Sequence, residues 1–325
     1  MNIHLLSAMT AIVILTGCAT HSGEASDAAS EAASVQNEVN SVEAISLLGE
    51  PLYQIEASPD QAEAAAQAMA RLQSGALLGE DDYLDIGFAL AGAGRYRDAI
   101  AAYSKGISEY PQSYKLRRHR AHRYITTRQI ENAYTDLKEA EALVREQDAA
   151  SVYEMKGDEP HGTYAHWIDY HLGIYYYLKQ DFEKSAAEFS KCVETSTDND
   201  MLIGSVDWLY NAELRAGNAD KAEAVLDLVA EDIEADETYP YYKRVMIYKG
   251  VFDPEEIVDL DSPKGWNGRD ATVAYGLASQ MIAAGQKEAA KEVLKGILDT
   301  PYWPVWAYVS AEADYAMLMS ASGSN

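Results

Sequence analysis

The sequence predicts an all-α protein built from repeated antiparallel helix pairs, on three observations. From Tyr83 onward, small and large apolar residues recur at a fixed separation. Glycines fall at the points where paired helices would turn, at Gly94, Gly217 and Gly285. With 325 residues, 48% of them apolar and 24% charged, the chain is long enough and apolar enough for a sizeable core. Its 23 Tyr against 4 Phe point to half-buried aromatic positions with a polar tip, as expected where helices line a wet groove.

In chain order, the apolar run Leu5–Leu15 is too short to span a bilayer and has the length of a signal-peptide core. It ends in Leu15-Thr16-Gly17-Cys18, which resembles the bacterial lipobox, although no Lys or Arg precedes the run. That resemblance implies removal of residues 1–17, acylation (palmitate among the chains) of Cys18, and export to a membrane. Ala19 after the cysteine favours the outer membrane, facing the periplasm, in a cell with two membranes. Two or more acyl chains hold firmly where one holds marginally. Residues 18–46 are Ala/Ser/Glu-rich with five acids after Cys18 and no Lys, Arg or aromatic residue. Such a stretch buries too little apolar area to offset its ordering entropy, so a disordered tether is expected, with a short helix at its end, Val42–Leu48.

The repeat region spans 47–322. Its clearest unit, YLDIGFALAGAGRYRDAIAAYSKGISEYP (83–111), resembles the tetratricopeptide consensus. Adding the period of 34 carries Gly87 to Ala121, Leu90 to Tyr124, Ala99 to Ala133, Tyr103 to Leu137 and Gly106 to Ala140. Small residues let two helices approach, and large ones fill the next unit's groove. The register gives units at 80–113, 114–147, 166–199, 203–236 and 271–302, a degenerate unit at 237–262, a capping helix at 304–320, and a worn helix at Pro59–Leu72. The resemblance implies a right-handed superhelical α-solenoid. The phrases RRHRAHRYITTRQIENAYTDL (117–137) and YHLGIYYYLKQDFEKS (170–185) look like a bacterial group of tetratricopeptide lipoproteins without an assigned activity.

The net charge of −26 argues against affinity for nucleic acid. Against that background Tyr114–Arg128 carries six Lys or Arg and no acid. The register places Lys115, Arg118 and His122 on the concave face, with Trp167, Tyr170 and Tyr177 in the third unit and Asn211 in the fourth. A basic and aromatic groove of this kind would take a protein or peptide partner. Arg117 and Arg120 fall on helix-facing positions and should pair with acids of adjacent repeats. The loop 149–163 is long enough to contact a partner or to be a plain insertion.

Five of seven histidines lie between His119 and His171, and His166 and Asp169 share a helix face. His166 and His171 point too far apart on a helix to share one ion, and no HExxH, phosphate loop or nucleophile elbow is present. No metal or cofactor is therefore expected. The leading expectation is a lipid-anchored envelope scaffold that is not an enzyme. The alternatives are an enzyme accessory or metal-dependent hydrolase using His161–His171, or a self-associating structural protein.

Overall fold

The structure is a computed structural model that describes residues 41–156 and 159–322. The expected signal sequence, Cys18 and the expected tether as far as residue 40 lie outside the described residues.

The described chain begins with a β-hairpin, not with the short helix expected at 42–48. Strand β1 (Val42–Ile45) pairs antiparallel with β2 (Pro51–Tyr53). The Ser46 hydroxyl accepts from Leu48 N at 3.2 Å and Glu50 N at 2.9 Å, closing a turn with Gly49 at φ 90°. β-branched Val42 and Ile45 suit an extended backbone, and burying Ala44 and Leu52 fixes the register. Strand structure is therefore present from Val42, a few residues inside the stretch expected as tether.

Helix pairs follow. After α1 (Pro59–Gln73) come α2 (Glu80–Gly92) with α3 (Tyr96–Glu109), and α4 (Tyr114–Thr126) with α5 (Ile130–Glu146). A second hairpin, β3 (Tyr153–Lys156) and β4 (Glu159–Thr163), interrupts the array. It leads to α6 (Tyr164–Leu178) with α7 (Phe182–Thr195), and α8 (Asn199–Arg215) with α9 (Ala219–Leu226). The degenerate unit is α10 (Tyr239–Tyr248) and a single turn α11 (Pro254–Ile257). Last come α12 (Gly268–Ala283), α13 (Lys287–Leu298) and α14 (Trp306–Ser322).

Five of these pairs turn the same way. Gly94, Arg128, Gln180, Gly217 and Gly285 all have φ between 61° and 84°. The amide of the next residue donates five residues back in each, from Arg95 to Leu90 O (3.0 Å) through Gln286 to Met281 O (2.8 Å). This is the Schellman closure, in which a left-handed residue satisfies the helix's last carbonyls. Inside the pairs, small residues set the approach distance. A methyl on Gly106 would stand 2.8 Å from the Tyr83 ring, and one on Gly173 would stand 2.8 Å from that of Phe189. The observed architecture is an all-α solenoid of stacked antiparallel hairpins.

The stack closes on itself. α12 packs across α8, and α14 packs on α6 and α13. Arg128, in the α4–α5 turn, forms a forked ion pair with Glu312 of α14 (2.7 and 3.0 Å), and Arg215 forms another with Asp314 (2.9 Å twice). Glu312 also accepts from Leu47 N at 3.0 Å, and Trp303 Nε1 donates to Tyr53 O at 2.8 Å. The N-terminal hairpin is thus tied to the C-terminal cap.

Candidate functional site

Helix α4 brings four of its basic residues to a cavity of about 460 Å³ in the bend of the stack. Arg118, His119, His122 and Arg123 come from α4, Trp167, Tyr170 and His171 from α6, and Phe88 from α2. Glu154 reaches in from the β3–β4 insertion, and Trp306 closes the far side from α14. The insertion and the cap, neither part of a repeat, therefore turn an open face into a chamber.

Arg118 is buried and compensated. Its Nε lies 3.1 Å from Glu154 Oε2, and its Nη1 donates to His119 Nδ1 at 2.9 Å. The guanidinium also stacks over the Trp167 indole, 5.6 Å from the ring centre, and that indole N–H donates to the His161 carbonyl. An arginine has no acceptor, so His119 must carry its proton on Nε2. His171 donates from Nδ1 to Trp167 O at 2.7 Å, which leaves Nε2 as its lone pair. Burial pushes His119, His122 and His171 well below the ordinary imidazole range, with Arg118 and Arg123 pushing in the same direction. These rings are neutral at neutral pH. Glu154 is pushed up by burial, with the two arginines opposing.

Arg123 differs from Arg118. Its guanidinium lies 5.5 Å from the Tyr96 ring centre, and no described carboxylate comes within 4.0 Å of it. Burial pushes its pKa down.

A wider, more open groove of about 690 Å³ adjoins the chamber. It shares the His122 and Trp306 walls and runs between α10, α12 and the segment before α14, past Tyr241, Asn267, Arg269 and Tyr302.

The groove residues expected from sequence separate into two sets. Arg118, His122, Trp167 and Tyr170 line the chamber together. Lys115 does not; it sits 3.7 and 3.6 Å from Glu80 and Asp81 of α2. Tyr177 is buried beneath α12, 3.1 Å from both Ser279 Oγ and the Tyr275 hydroxyl. Asn211 is fully buried, donating to Asp207 O at 2.8 Å and the Tyr248 hydroxyl at 3.2 Å. The cause is the same for both: α10 and α12 occupy the face that the register leaves open. Arg117 and Arg120 find their acids inside their own repeat, Glu139 (2.8 Å) and Asp136 (2.7 Å) of α5, not in neighbouring units, and Arg120 also donates to Ser104 Oγ of the preceding pair at 3.0 Å.

His166 and Asp169 do not enter the chamber. His166 Nδ1 meets Thr195 Oγ1 at 3.0 Å, and Asp169 lies 3.9 Å from Lys191. Among the described residues no group of three or more His, Cys, Asp or Glu is arranged to hold a metal ion. Arg123, Glu154 and Trp306 escaped the sequence reading. The charge reversal over Tyr114–Arg128 flagged the first, whereas the other two reach the site from outside the repeat register.

No protein-family model and no curated protein matches the chain. Among solved structures it is similar to a tetratricopeptide repeat protein from Parabacteroides merdae ATCC 43184. The similarity has a TM-score of 0.46 and 16% identity, covering 77% of this chain and 92% of that one. On its own helix pairs and turns, the array is tetratricopeptide-like. Folds of this kind present surfaces for binding proteins.

Proposed function

We infer that the protein is a lipid-anchored cell-envelope scaffold that holds a protein or peptide partner and performs no chemistry of its own. Its anchor would be acylated Cys18, and its setting the periplasmic face of an outer membrane. One observation carries the binding role: the open groove presents Tyr302 and Trp306 beside exposed Arg269. Rigid aromatic rings next to an arginine are the residue types that dominate binding energy at protein interfaces. The lipobox-like Cys18 and the Ala/Ser/Glu-rich stretch behind it support a tethered setting, in which an anchored scaffold meets partners without diffusing away.

The test is a photo-crosslinking residue at position 302, activated in intact cells. The expected result is capture of a defined protein, lost on Arg269→Glu while the helical circular dichroism is kept. Capture that survives Arg269→Glu, or none at all, rejects the groove. Metabolic labelling with a palmitate analogue, abolished by Cys18→Ala, checks the anchor.

A further inference from the structure

We propose that the chamber on α4 is a separate small-molecule site, taking an organic monoanion with a flat apolar body. This goes beyond the scaffold role and does not depend on it.

The charge count comes first. Arg118 and Glu154 cancel, being 3.1 Å apart and both largely buried, with side chains 6% and 11% exposed. His119, His122 and His171 are neutral, as burial and the neighbouring arginines dictate. Arg123 remains as the second positive charge, 5.5 Å from the Tyr96 ring centre and with no described carboxylate within 4.0 Å. The chamber therefore holds one net positive charge on a partly buried guanidinium, and a single anion is what neutralises it. A dianion would leave the site negative, and a cation would be repelled.

Size and walls come next. The volume of about 460 Å³ lies within the range of small-molecule pockets and is narrower than a folded partner needs. Its surfaces are ring faces and edges. Trp306 stacks on His122 at 4.9 Å, His171 tilts against His122 at 4.8 Å, and Phe88 stands edge-on to His119 at 4.6 Å. Tyr170 and Trp167 complete them, 5.5 Å apart. Such walls favour a planar apolar body by stacking. Polar specificity would come from Arg123 for the anion, with the His122 ring beside it. The chamber is preorganised, because Arg118, His119 and His171 are each held by the bonds described above. Little ordering cost then opposes binding.

The experiment is isothermal titration of the purified full chain with 3-phenylpropanoate, its neutral amide, and benzylphosphonate, at pH 7.5. The acid should bind saturably at or below about 1 mM, with the amide weaker by at least about tenfold. Arg123→Gln should remove binding of the acid, and Arg123→Lys should retain it within several-fold. Trp306→Leu should weaken it with the charge untouched. Equal binding of acid and amide, no binding of the acid, or an unchanged affinity in Arg123→Gln overturns the proposal. Preference for the phosphonate overturns the monoanion assignment. If Arg123→Gln unfolds, the acid–amide comparison on the native chain still decides. The two functional readings fail separately, since capture from position 302 should be indifferent to Arg123→Gln.

Discussion

Gly173 meets the Phe189 ring where two helices of one pair come closest, and both residues are buried. Gly173→Ala should cost about 1–3 kcal/mol through overpacking, and Phe189→Leu in the same chain should restore part of it. Urea unfolding of the single and double variants reads this directly. The buried ionisable groups give the chain two opposed pH dependences. Burial pushes His166 down to about 4 from 6.5, so the unfolded chain binds the proton more readily than the folded one. Stability is complete above 6.5 and is lost as pH falls towards 4. His166→Asn should remove up to about 3 kcal/mol of that acid-side decline, seen as a smaller difference in urea midpoint between neutral and acid pH. Asp169 acts with the opposite sign. Burial pushes it up to about 7 from 3.8, so its protonated form suits the fold and its share of stability fades as pH rises between those values. Asp169→Asn should raise stability above neutral pH by on the order of 1–2 kcal/mol, measured the same way.

At the scale of elements, the α4–α5 hairpin contains two arginine–carboxylate pairs that look alike in sequence and differ physically. Arg120 grips Asp136 with two bonds, and the carboxylate is only 4% exposed. Arg117 meets a Glu139 that is 53% exposed. Arg120→Gln should therefore cost about 3–5 kcal/mol by leaving Asp136 buried alone, while Arg117→Gln should cost under about 1 kcal/mol. Thermal melts of the two variants separate them. The helices were readable because their signal is local: small residues recurring every 34 positions dictate where backbones can approach. The turns were readable at the glycines but not at Arg128 and Gln180, which adopt the same left-handed conformation without the usual residue. The two β-hairpins carried no such signal. Val42–Ile45 is too short to establish an alternating pattern, and its pairing depends on a turn built by Ser46.

On the scale of the whole molecule, nearest-neighbour stacking is not the only source of stability. An open solenoid sums local interfaces and can unfold piecemeal. Here Arg128 and Glu312, 2% and 0% exposed, join the second repeat to the cap. Glu312→Ala should cost about 3–5 kcal/mol and split one calorimetric transition into two, as the C-terminal helices lose their hold on the N-terminal repeats. A single unsplit transition would show that stacking alone couples the array. This closure explains why Arg118, His122, Trp167 and Tyr170 line one chamber while Tyr177 and Asn211 lie buried beneath later helices. A repeat register specifies which face a residue occupies within its unit. Whether that face is open depends on contacts beyond the repeat, 37 positions apart for Asn211 with Tyr248 and 102 for Tyr177 with Ser279.

Glu312 has a mechanical meaning as well. It holds Leu47 N from the first hairpin and Arg128 from the second repeat at once. A tug on the chain ahead of Val42 therefore does not peel the hairpin away alone. The load is shared by that carboxylate, the Trp303–Tyr53 bond and the bond from Arg97 N to Glu43, and so enters the C-terminal cap and the first repeats together.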